Sequence, residues 1–495
     1  SLHDALPISF YMSSPKLQVN GADVMVNELK RLEVDTIFCI TGAGNLAIVD
    51  ALLRDGSFQI IYSHHEQAAV MEAQGYSRVS GKIGVVLVTT GGGTSNAVTG
   101  VLSAHLDSIP LLIISGNESS FHCLNKSNLR AYGVQGFDSV AVLSPISKYS
   151  IRIQNTNTIS QIVQEAISCA TSNRKGPTHI DFPMDLQRMT AGIQEKHVQV
   201  HTEFISDVEN SYKFINELQV ALESSKRPLL YLGNGLRYSP NLDQLKNLII
   251  KHEVPFILSW SAIDLFSDIP EFAMGRVGIY GDRASNIILQ KSDLLISIGT
   301  RLAIPQIGYD KLDFARHAQK FIVDIDPTEC DKFSNLGWNV LNDSASNFLE
   351  GLIKVFRGES IKHLSWGQWV NEGKVIWSKF PRIEQVGPDV DSDKNYIHSA
   401  QVVDFLNQNL DEDAIVVTDV GAGLLTGHYL IRPKAKQRIF TSQGLGEMGF
   451  GLPGAIGAHF ARRKSQLICL NTDGAMMFNL QVHYSGSDSA YQCCP

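Results

Sequence analysis

A glycine-rich segment late in the chain has the residue types that bind an anionic cofactor. Gly444, Gly446 and Gly449 form a G-x-G-x-x-G pattern. The pattern follows a short apolar run and precedes a predicted helix over 452–462, and Asp473 lies at the end of the next predicted strand. Glycines at this spacing let backbone N–H groups approach a pyrophosphate at a helix N-terminus. The segment therefore predicts an anion-binding loop, close in form to the dinucleotide fingerprint.

Two features argue against a nicotinamide dinucleotide as the ligand of this loop. A dinucleotide-binding domain places its fingerprint after its first strand, whereas here another strand and the segment 419–421 come first. Asp473 is followed directly by Gly474, which suits a turn around a metal-bound diphosphate better than a carboxylate that binds a ribose. A NAD-dependent oxidoreductase is kept as a remote alternative.

Glu66 is a second candidate for chemistry, because it follows a predicted strand and begins a predicted helix. A carboxylate in a first helical turn most often serves to interact with the helix dipole. His64 and His65 beside it are more often turn or core residues than ligands. Asn96 by itself is typical of an N-cap after a glycine-rich turn. None of these residues predicts a function alone.

Short apolar runs that alternate with helix-length segments predict the elements that position these residues: three consecutive α/β units with parallel sheets. The predicted strands are 35–40, 59–62, 83–88, 110–115 and 180–183 in the first unit, 228–232, 255–258, 294–298 and 321–325 in the second, and 414–418, 438–441 and 466–470 in the third. Residues 188–207 and 358–395 are predicted to be linkers.

The composition excludes several classes of protein. The chain has 495 residues, 44% of them apolar and 19% charged, which is typical of a globular enzyme of about three domains and not of a disordered chain. Its net charge is −8 and no long run of Lys and Arg occurs, so nucleic acid and anionic membranes have no electrostatic support as partners. No apolar stretch reaches the roughly 18 residues of a membrane span.

The cysteines and the two ends of the chain carry three further expectations. The seven cysteines lack the spacing of a zinc site or a redox pair, which is typical of a reduced, cytoplasmic protein. Residues 1–11 resemble neither a secretory nor a transit peptide, and Met12 is expected to be the natural start. The Ser- and Gly-rich residues 482–495 fit no element of an α/β unit, so the third unit is expected to be incomplete, with an unpaired edge beside strand 466–470.

Taken together, the motifs resemble those of the thiamine-diphosphate-dependent 2-oxo acid enzymes, most closely the large subunit of acetolactate synthase. The resemblance runs in order from about residue 16 to 481. The segments that carry it are 41–44, 65–69, 89–96, 107–111, 176–177, 181–185, 291–295, 324–327, 418–421, 444–457 and 473–474.

This resemblance implies an α/β fold of three parallel-sheet domains and a set of cofactors. The domains are a pyrimidine-binding domain over 12–187, a Rossmann-like central domain over 205–358, and a truncated diphosphate-binding domain over 380–495. Thiamine diphosphate and Mg²⁺ are the implied cofactors, and FAD in the central domain is left open. Because such enzymes bind the cofactor between the first domain of one subunit and the third of another, a homodimer or tetramer is implied, and a small regulatory subunit is an open partner.

The resemblance also assigns roles to residues. Glu66 is implied as the catalytic carboxylate that bonds to N1′ of the cofactor's pyrimidine ring, Asp473 as the first magnesium ligand, and Asn117 as a substrate-facing residue. The family's second magnesium ligand, an Asn, would fall beyond the last residue of this chain. The implied cofactor-binding set is Gly42, Glu66, Asn96, Gly421, Ala422, Gly423, Gly446, Met448, Asp473, Gly474 and Ala475.

The implied reaction is decarboxylation of a 2-oxo acid, pyruvate in the first instance, with carboligation to a second 2-oxo acid, as a lyase or transferase of branched-chain amino acid biosynthesis. Residues 422–424 replace the Gln-His that the family usually has, and the sequence of the segment 118–136 differs from that of acetolactate synthase. A simple 2-oxo acid decarboxylase and a non-catalytic paralogue are therefore kept as alternatives.

Overall fold

The computed structural model describes residues 19–124, 129–192, 204, 206–382 and 397–484. Within this part of the chain, no helix combines the length and the apolar character that crossing a membrane requires. The predictions for residues 1–11 and for the tail beyond residue 484 lie outside the described residues.

The first unit is a parallel sheet in the order β2-β1-β3-β4-β6-β5. Its strands are β1 (Thr36–Cys39), β2 (Gln59–Tyr62), β3 (Gly84–Val88), β4 (Leu111–Asn117), β5 (Tyr149–Arg152) and β6 (Pro177–Pro183). Its helices are α1 (Gly21–Arg31), α2 (Leu46–Asp55), α3 (Glu66–Ser80), α4 (Gly92–Asn96), α5 (Val98–Asp107), α6 (Ser120–Leu124), α7 (Ser139–Leu143), α8 (Ile159–Thr171) and α9 (Met184–Arg188).

Apolar strands explain why helices cover both faces of this sheet. Successive residues of β3 point to opposite sides, so that Val85 packs with α1, α2 and α8, whereas Val86 packs with α3 and α5. A strand buried on both faces needs a near-continuous apolar sequence, which is how β3 and β4 could be predicted.

The second unit repeats this architecture in the order β12-β11-β10-β7-β8-β9. Its strands are β7 (Pro228–Leu232), β8 (Phe256–Leu258), β9 (Ala273–Arg276), β10 (Leu294–Ile298), β11 (Gln319–Asp324) and β12 (Asn339–Asn342). Its helices are α10 (Val208–Ser224), α11 (Leu242–His252), α12 (Arg283–Lys291), α13 (Ile304–Ile307), α14 (Pro327–Asp331), α15 (Ala345–Arg357) and α16 (Gly367–Lys379).

The third unit has a small parallel sheet in the order β14-β13-β15. Its elements are α17 (Ser399–Asn409), β13 (Ile415–Thr418), a π-helical turn (Gly423–His428), β14 (Arg438–Phe440), α18 (Gly451–Ala461), β15 (Leu467–Leu470) and α19 (Asp473–Met477). In the described residues β15 pairs only with β13, so it is an edge strand.

The predicted α/β class and its three parallel sheets are confirmed. The strands β5, β9 and β12 were not predicted, because each is partly exposed and lacks a continuous apolar run. The prediction of a linker over 358–395 is wrong for α16, whose Trp369 and Val370 lie in the core of the second unit. Charged residues on the outer face of α16 masked its apolar face in the sequence.

The first and third units pack together through glycines on α3 and α18. A Cβ atom on Gly457 would lie 1.7 Å from the backbone oxygen of Glu72, and one on Gly75 would lie 2.0 Å from the backbone oxygen of Gly454. The two helix backbones therefore touch, at a separation that no larger residue permits.

A buried ionic cluster joins all three units. The Asp264 carboxylate pairs with Arg237 of its own unit and with Arg438 of the third, both at 2.5 Å. Nε of Arg438 donates to the backbone oxygen of Arg78 in the first unit, at 3.0 Å. Burial alone would raise the pKa of Asp264, but the two guanidinium groups outweigh it and lower the pKa to about 2.

Helix α3 also carries a buried carboxyl group, Glu72, with no cationic partner. Ser63 donates a hydrogen bond to its Oε2, and its Oε1 has no hydrogen-bond partner among the described residues. Burial raises the pKa of Glu72 from 4.5 to about 8, against a smaller lowering by Ser63. The carboxyl group of the folded chain is therefore protonated at pH values where that of the unfolded chain is ionised.

We predict that Glu72→Gln makes stability less dependent on pH. Between 4.5 and about 8 the folded state binds one proton more than the unfolded state, so the stabilisation is complete below 4.5 and is lost as the pH rises through about 8. The thermal midpoint of the variant should exceed that of the wild type at about pH 8 and approach it at about pH 5. Glu350→Gln, which changes an exposed carboxylate on α15, is the control; superimposable curves for Glu72→Gln and wild type would contradict the prediction.

Candidate functional site

Glu66 lies at the carboxyl edge of the first sheet, as the first residue of α3. The imidazole Nδ1 of the N-cap residue, His65, accepts the N–H of Gln67 at 3.2 Å, which fixes where the helix begins. The Glu66 side chain is buried, and its Oε2 accepts a hydrogen bond from the amide of Asn96 at 3.0 Å. Two residues 30 positions apart in the chain are thus brought together, as the predicted site requires.

Glycines in the neighbouring turns leave room for this pair. A Cβ on Gly93 would lie 3.5 Å from Oε1 of Glu66. Gly42 precedes a 3₁₀ turn after β1, and a Cβ there would collide with the side chain of Thr89 at 2.4 Å. Gly91 has a φ of +65° and begins α4, a conformation that favours glycine. Gly42 and Asn96 therefore lie in adjoining turns at the same edge of the sheet.

Asn117, the last residue of β4, is bound on every side by protein groups. Its amide nitrogen donates to the carboxylate of Asp181 at 2.8 Å and to the backbone oxygen of Phe137 at 3.2 Å, and its oxygen accepts the N–H of Glu118. Its side chain therefore ties the segment after β4 to the sheet. A contact with substrate stays a prediction for this residue.

The described residues of the segment 118–136, whose sequence departs from that of the family, lie beside the turn that leads into α4. Oε1 of the buried Glu118 accepts the N–H groups of Val134 and Gln135, both at 3.1 Å. The backbone oxygen of Gln135 lies 2.9 Å from where a Cβ of Gly91 would be. Residues 134–135 thus form a wall against the turn that precedes α4, the helix that carries Asn96.

The other predicted residues meet at the carboxyl edge of the third sheet. Gly421 follows β13 with a φ of +70°, Gly446 follows β14 with a φ of +70°, and Asp473 follows β15 as the first residue of α19. The methyl group of Met448 would lie 3.4 Å from a Cβ on Gly474. The structure therefore brings the segments 421–423, 446–448 and 473–475 to one edge of the third sheet.

Asp419 holds the end of the glycine-rich loop. Its buried carboxylate accepts the N–H groups of Val420 at 2.7 Å, Gly449 at 3.1 Å and Gly451 at 2.7 Å. Burial raises the pKa of Asp419, against the lowering effect of these N–H groups. The amide of Asn479 in turn donates to the backbone oxygen of Gly449 at 2.8 Å.

Asp473 is exposed, and its Oδ1 accepts the N–H of Gly474 at 2.8 Å. Across the residues that the structure covers, no group of three or more His, Cys, Asp and Glu side chains could hold a metal ion. A divalent cation here would need oxygen ligands from the cofactor in addition to Asp473.

The predicted site has two halves: a carboxylate half with Glu66 and Asn96 in the first unit, and a diphosphate half with the segments 421–423, 446–448 and 473–475 in the third. In the described ranges, no hydrogen bond or ion pair connects Glu66 or Asn96 to the segments 446–448 or 473–475. Large apolar side chains are exposed in the units that carry the two halves: Phe121 and Val134 in the first unit, and Met477 and Phe478 in the third unit.

The second unit borders a cleft of about 400 Å³, whose lining also includes residues 106–108 and 173–175 of the first unit. It opens at the carboxyl ends of β7 and β10, where the strand order reverses, a position that binds nucleotides in open α/β sheets. Its lining includes Gly235 after β7, Arg301 after β10 and Asp324 at the end of β11. It extends to Gln443 and Gly444 of the glycine-rich loop.

Sequence reasoning missed three residues that position the loop. Asp107 and Asp419 lay within the matching segments but received no role, and Gln443 was not considered. The Gln443 side chain accepts from Ser261 of the second unit at 3.0 Å and bonds to His428 at 3.1 Å. One feature of the sequence could have indicated a contact of Asp107. It is an acidic residue in the last turn of a helix, where the helix dipole disfavours a carboxylate, so it needs a tertiary partner.

Comparison with known proteins gives matches along most of the chain. Residues 19–144, 215–352 and 419–484 match the N-terminal TPP-binding, central and C-terminal TPP-binding domains of thiamine pyrophosphate enzymes. The chain is 31% identical over 473 residues to a probable acetolactate synthase large subunit of Methanococcus aeolicus, covering 94% of this chain and 77% of the relative. It is 30% identical over 480 residues to the large subunit of isozyme 1 of Escherichia coli, covering 96% and 81%.

A third relative, the acetolactate synthase large subunit of Lactococcus lactis, is 29% identical over 470 residues, covering 93% of this chain and 77% of its own length. The matches to all three domains follow the order of the three α/β units along the chain.

We predict that Asn117→Ala loosens the wall formed by the segment after β4. Loss of the amide removes its bonds to Asp181 and Phe137, so trypsin should cleave after the exposed Arg130 several-fold faster than in the wild type. Cleavage after Arg316, an exposed residue of the second unit, is the internal control. An unchanged ratio of the two cleavage rates would show that Asn117 does not hold this segment.

Proposed function

The chain belongs to the thiamine pyrophosphate enzymes, in the group of acetolactate synthase large subunits, and we propose that it decarboxylates pyruvate and joins the product to a second 2-oxo acid. Thiamine diphosphate is the cofactor of this family. The reaction would make the protein a lyase or transferase of branched-chain amino acid biosynthesis.

The observation that carries this proposal is the environment of Glu66. A carboxylate that activates an aminopyrimidine must be held in one orientation, be shielded from water and keep one oxygen available. Asn96 orients Oε2, burial shields the group, and glycine at position 93 leaves Oε1 accessible. We therefore assign Glu66 as the catalytic carboxylate and Asn96 as the residue that orients it.

The third unit fits the diphosphate end of the cofactor. Gly421 and Gly446 have positive φ, and a Cβ on Gly446 would meet no atom nearer than 4.0 Å. An open glycine turn beside Met448 gives the cofactor a backbone to approach and an apolar support. We propose that Gly421, Ala422, Gly423, Gly446, Met448, Gly474 and Ala475 contact thiamine diphosphate, with Gly42 contacting it from the first unit.

When bound, thiamine diphosphate supplies the electron sink for the electrons that the departing CO₂ leaves behind. The residues of the chain orient the bound cofactor, and one of them holds the proton that the reaction needs. Glu66 holds a proton against N1′ of the pyrimidine ring, and such positioned proton transfer is worth about 10²–10⁴ in rate. The wall of residues 129–137 limits access of water and selects the substrate, with Asn117 at its base.

Magnesium is proposed as the metal and Asp473 as its ligand. Mg²⁺ takes oxygen ligands in an octahedral arrangement and commonly binds through one or two carboxylates plus substrate phosphates. The exposed carboxylate of Asp473 beside Gly474 suits that role.

We propose that a second copy of the chain completes the site. Among the described residues, the carboxylate half and the diphosphate half of one chain share no hydrogen bond. The apolar residues Phe121, Val134, Met477 and Phe478 of the first and third units are exposed. Pairing the first unit of one copy with the third unit of another would bury these residues and bring Glu66 to the cofactor. The name large subunit in the relatives supports a smaller subunit as a further partner.

The test is product analysis by mass spectrometry after incubation with thiamine diphosphate, Mg²⁺, pyruvate and 2-oxobutyrate. We expect CO₂ together with 2-hydroxy-2-methyl-3-oxobutanoate where pyruvate is also the acceptor, and 2-ethyl-2-hydroxy-3-oxobutanoate where 2-oxobutyrate is the acceptor. Free aldehyde without the coupled acid would instead favour a decarboxylase, and no conversion with either substrate would favour a non-catalytic paralogue.

Two variants control for the assignment of the residues. Glu66→Gln keeps the size of the side chain and should lower turnover by about 10²-fold or more, with an unchanged thermal midpoint. Asp473→Asn should lose magnesium-dependent activity. Co-expression of the two inactive variants should recover activity, because a mixed dimer contains one intact site; no recovery would contradict a site shared between copies.

For the cleft of the second unit we propose FAD as the occupant. The cleft lies where strand order reverses, and Asp324 at the end of β11 lines it with a carboxylate that suits a hydrogen bond from a ligand hydroxyl group. Burial raises the pKa of Asp324, so a hydroxyl group that bonds to it stabilises its ionised form. Gly235 lines the cleft, and Gly233 lets the turn after β7 approach the backbone at Gly299, where a Cβ would lie 2.0 Å from the Gly299 oxygen.

We predict that the purified protein is yellow and releases flavin on heating. Asp324→Ala should reduce the flavin content severalfold, and Asp331→Ala, an exposed acidic residue of α14, should leave it unchanged. A colourless protein that also fails to bind added FAD would contradict the proposal.

A further inference from the structure

The glycine-rich loop is held at both ends by buried carboxylates from different units. Asp419 of the third unit binds its end, at Gly449 and Gly451. Asp107 of the first unit binds its beginning, at Gln443 and Gly444. Gly446 and Met448, the residues assigned to the cofactor, lie between the two attachments.

The geometry at Asp107 is that of a carboxylate clamp. Oδ1 accepts the N–H of Gly444 at 2.7 Å, and Oδ2 accepts the N–H of Gln443 at 3.0 Å. Arg78 of α3 pairs with Oδ2 at 2.6 Å. The side chains of Asp107 and Arg78 are only 7% and 5% exposed. Charged hydrogen bonds of this kind are shorter and stronger than neutral ones.

The helix that carries Asp107 gives no local reason for this residue. Asp107 is the last residue of α5, where the negative end of the helix dipole repels a carboxylate. Its stabilisation must therefore come from tertiary partners, and Arg78 and the two loop N–H groups are those partners.

The remainder of the loop is braced from the same helix. Ser103 of α5 bonds to Ser442 at 3.1 Å, and Ser442 donates to Oε2 of Glu447 at 2.6 Å. Glu447 stands between Gly446 and Met448. A displacement of the loop's beginning is therefore transmitted to both residues that face the cofactor.

We propose that Asp107 is a positioning residue: from the first unit, it fixes the loop that holds thiamine diphosphate in the third unit of the same chain. This inference rests on the proposed function, which assigns Gly446 and Met448 to the cofactor. It extends that function by making cofactor affinity depend on a residue outside the cofactor-binding unit.

The distinguishing variant is Asp107→Asn. The amide has the same shape, but only one of its two ends accepts hydrogen bonds, so one loop N–H must face an NH₂ group or lose its partner. Asp107→Asn combined with Arg78→Met removes the unpaired guanidinium, in case the single variant folds poorly. Asp50→Asn, at an exposed carboxylate on α2, is the matched control.

The experiment measures two quantities on the full chain. Hydrogen exchange without cofactor reports the loop directly: amides of Gln443 and Gly444 should exchange at least tenfold faster in Asp107→Asn, and those of Gly449 and Gly451 should change less. Calorimetry with thiamine diphosphate and Mg²⁺ should give about tenfold weaker binding. Asp107→Glu, which keeps the charge, should recover part of the affinity.

The outcomes separate this inference from the proposed function. If the wild type does not bind thiamine diphosphate, the proposed function fails, whatever the exchange rates. If the wild type binds it, and Asp107→Asn has either wild-type loop exchange or wild-type affinity, the positioning role of Asp107 is overturned. Faster exchange together with weaker binding, both absent from Asp50→Asn, supports it.

Discussion

The arrangement of the site depends on one close contact, the crossing of α3 and α18. At Gly75, Gly454 and Gly457 the two helix backbones touch without intervening side chains. Helix α3 begins with Glu66, and α18 begins where the glycine-rich loop ends. Because interiors are close-packed, a shift of one helix must move the other. The contact therefore sets the position of Glu66, the proposed catalytic carboxylate, relative to the proposed diphosphate half within each chain.

Buried charges then fix the orientation of the units around that crossing. Asp264 with Arg438, and Asp107 with Arg78, are pairs in which each charge is largely hidden from water. Removing such charges from water costs about as much as their attraction returns, so these pairs add little net stability. Their geometric demands are strict, however, because each carboxylate also accepts backbone N–H groups from the third unit. They determine where the strand β14 and the loop after it lie.

Local sequence patterns could predict the sheets and the edge at which the site forms. The apolar runs of β13 and β14 are buried. Parallel strands bring their carboxyl ends to one edge of a sheet, so Gly421, Gly446 and Asp473, which follow β13, β14 and β15, meet at one edge of the third sheet. The clamp could not be predicted, since the two loop N–H groups that Asp107 binds lie 336 and 337 residues away in the chain. Asn117 shows the same limit: the family resemblance implied a substrate contact, which stays a prediction, and its bonds to Asp181 and Phe137 could not be predicted because Phe137 lies in a segment with no periodic pattern.

In the proposed dimer, the first unit of each chain contributes to both sites, and its contribution to each is different. The first unit of each chain performs two tasks at sites that differ: Glu66 acts on the cofactor held by the partner, whereas Asp107 shapes the loop of its own third unit. The two tasks share α3, since Arg78, which pairs with Asp107, lies on the same helix as Glu66. A displacement of α3 would thus disturb the carboxylate of one site and the cofactor loop of the other. In the proposed assembly a single helix, α3, therefore couples the two sites, and this coupling needs no larger rearrangement of the units.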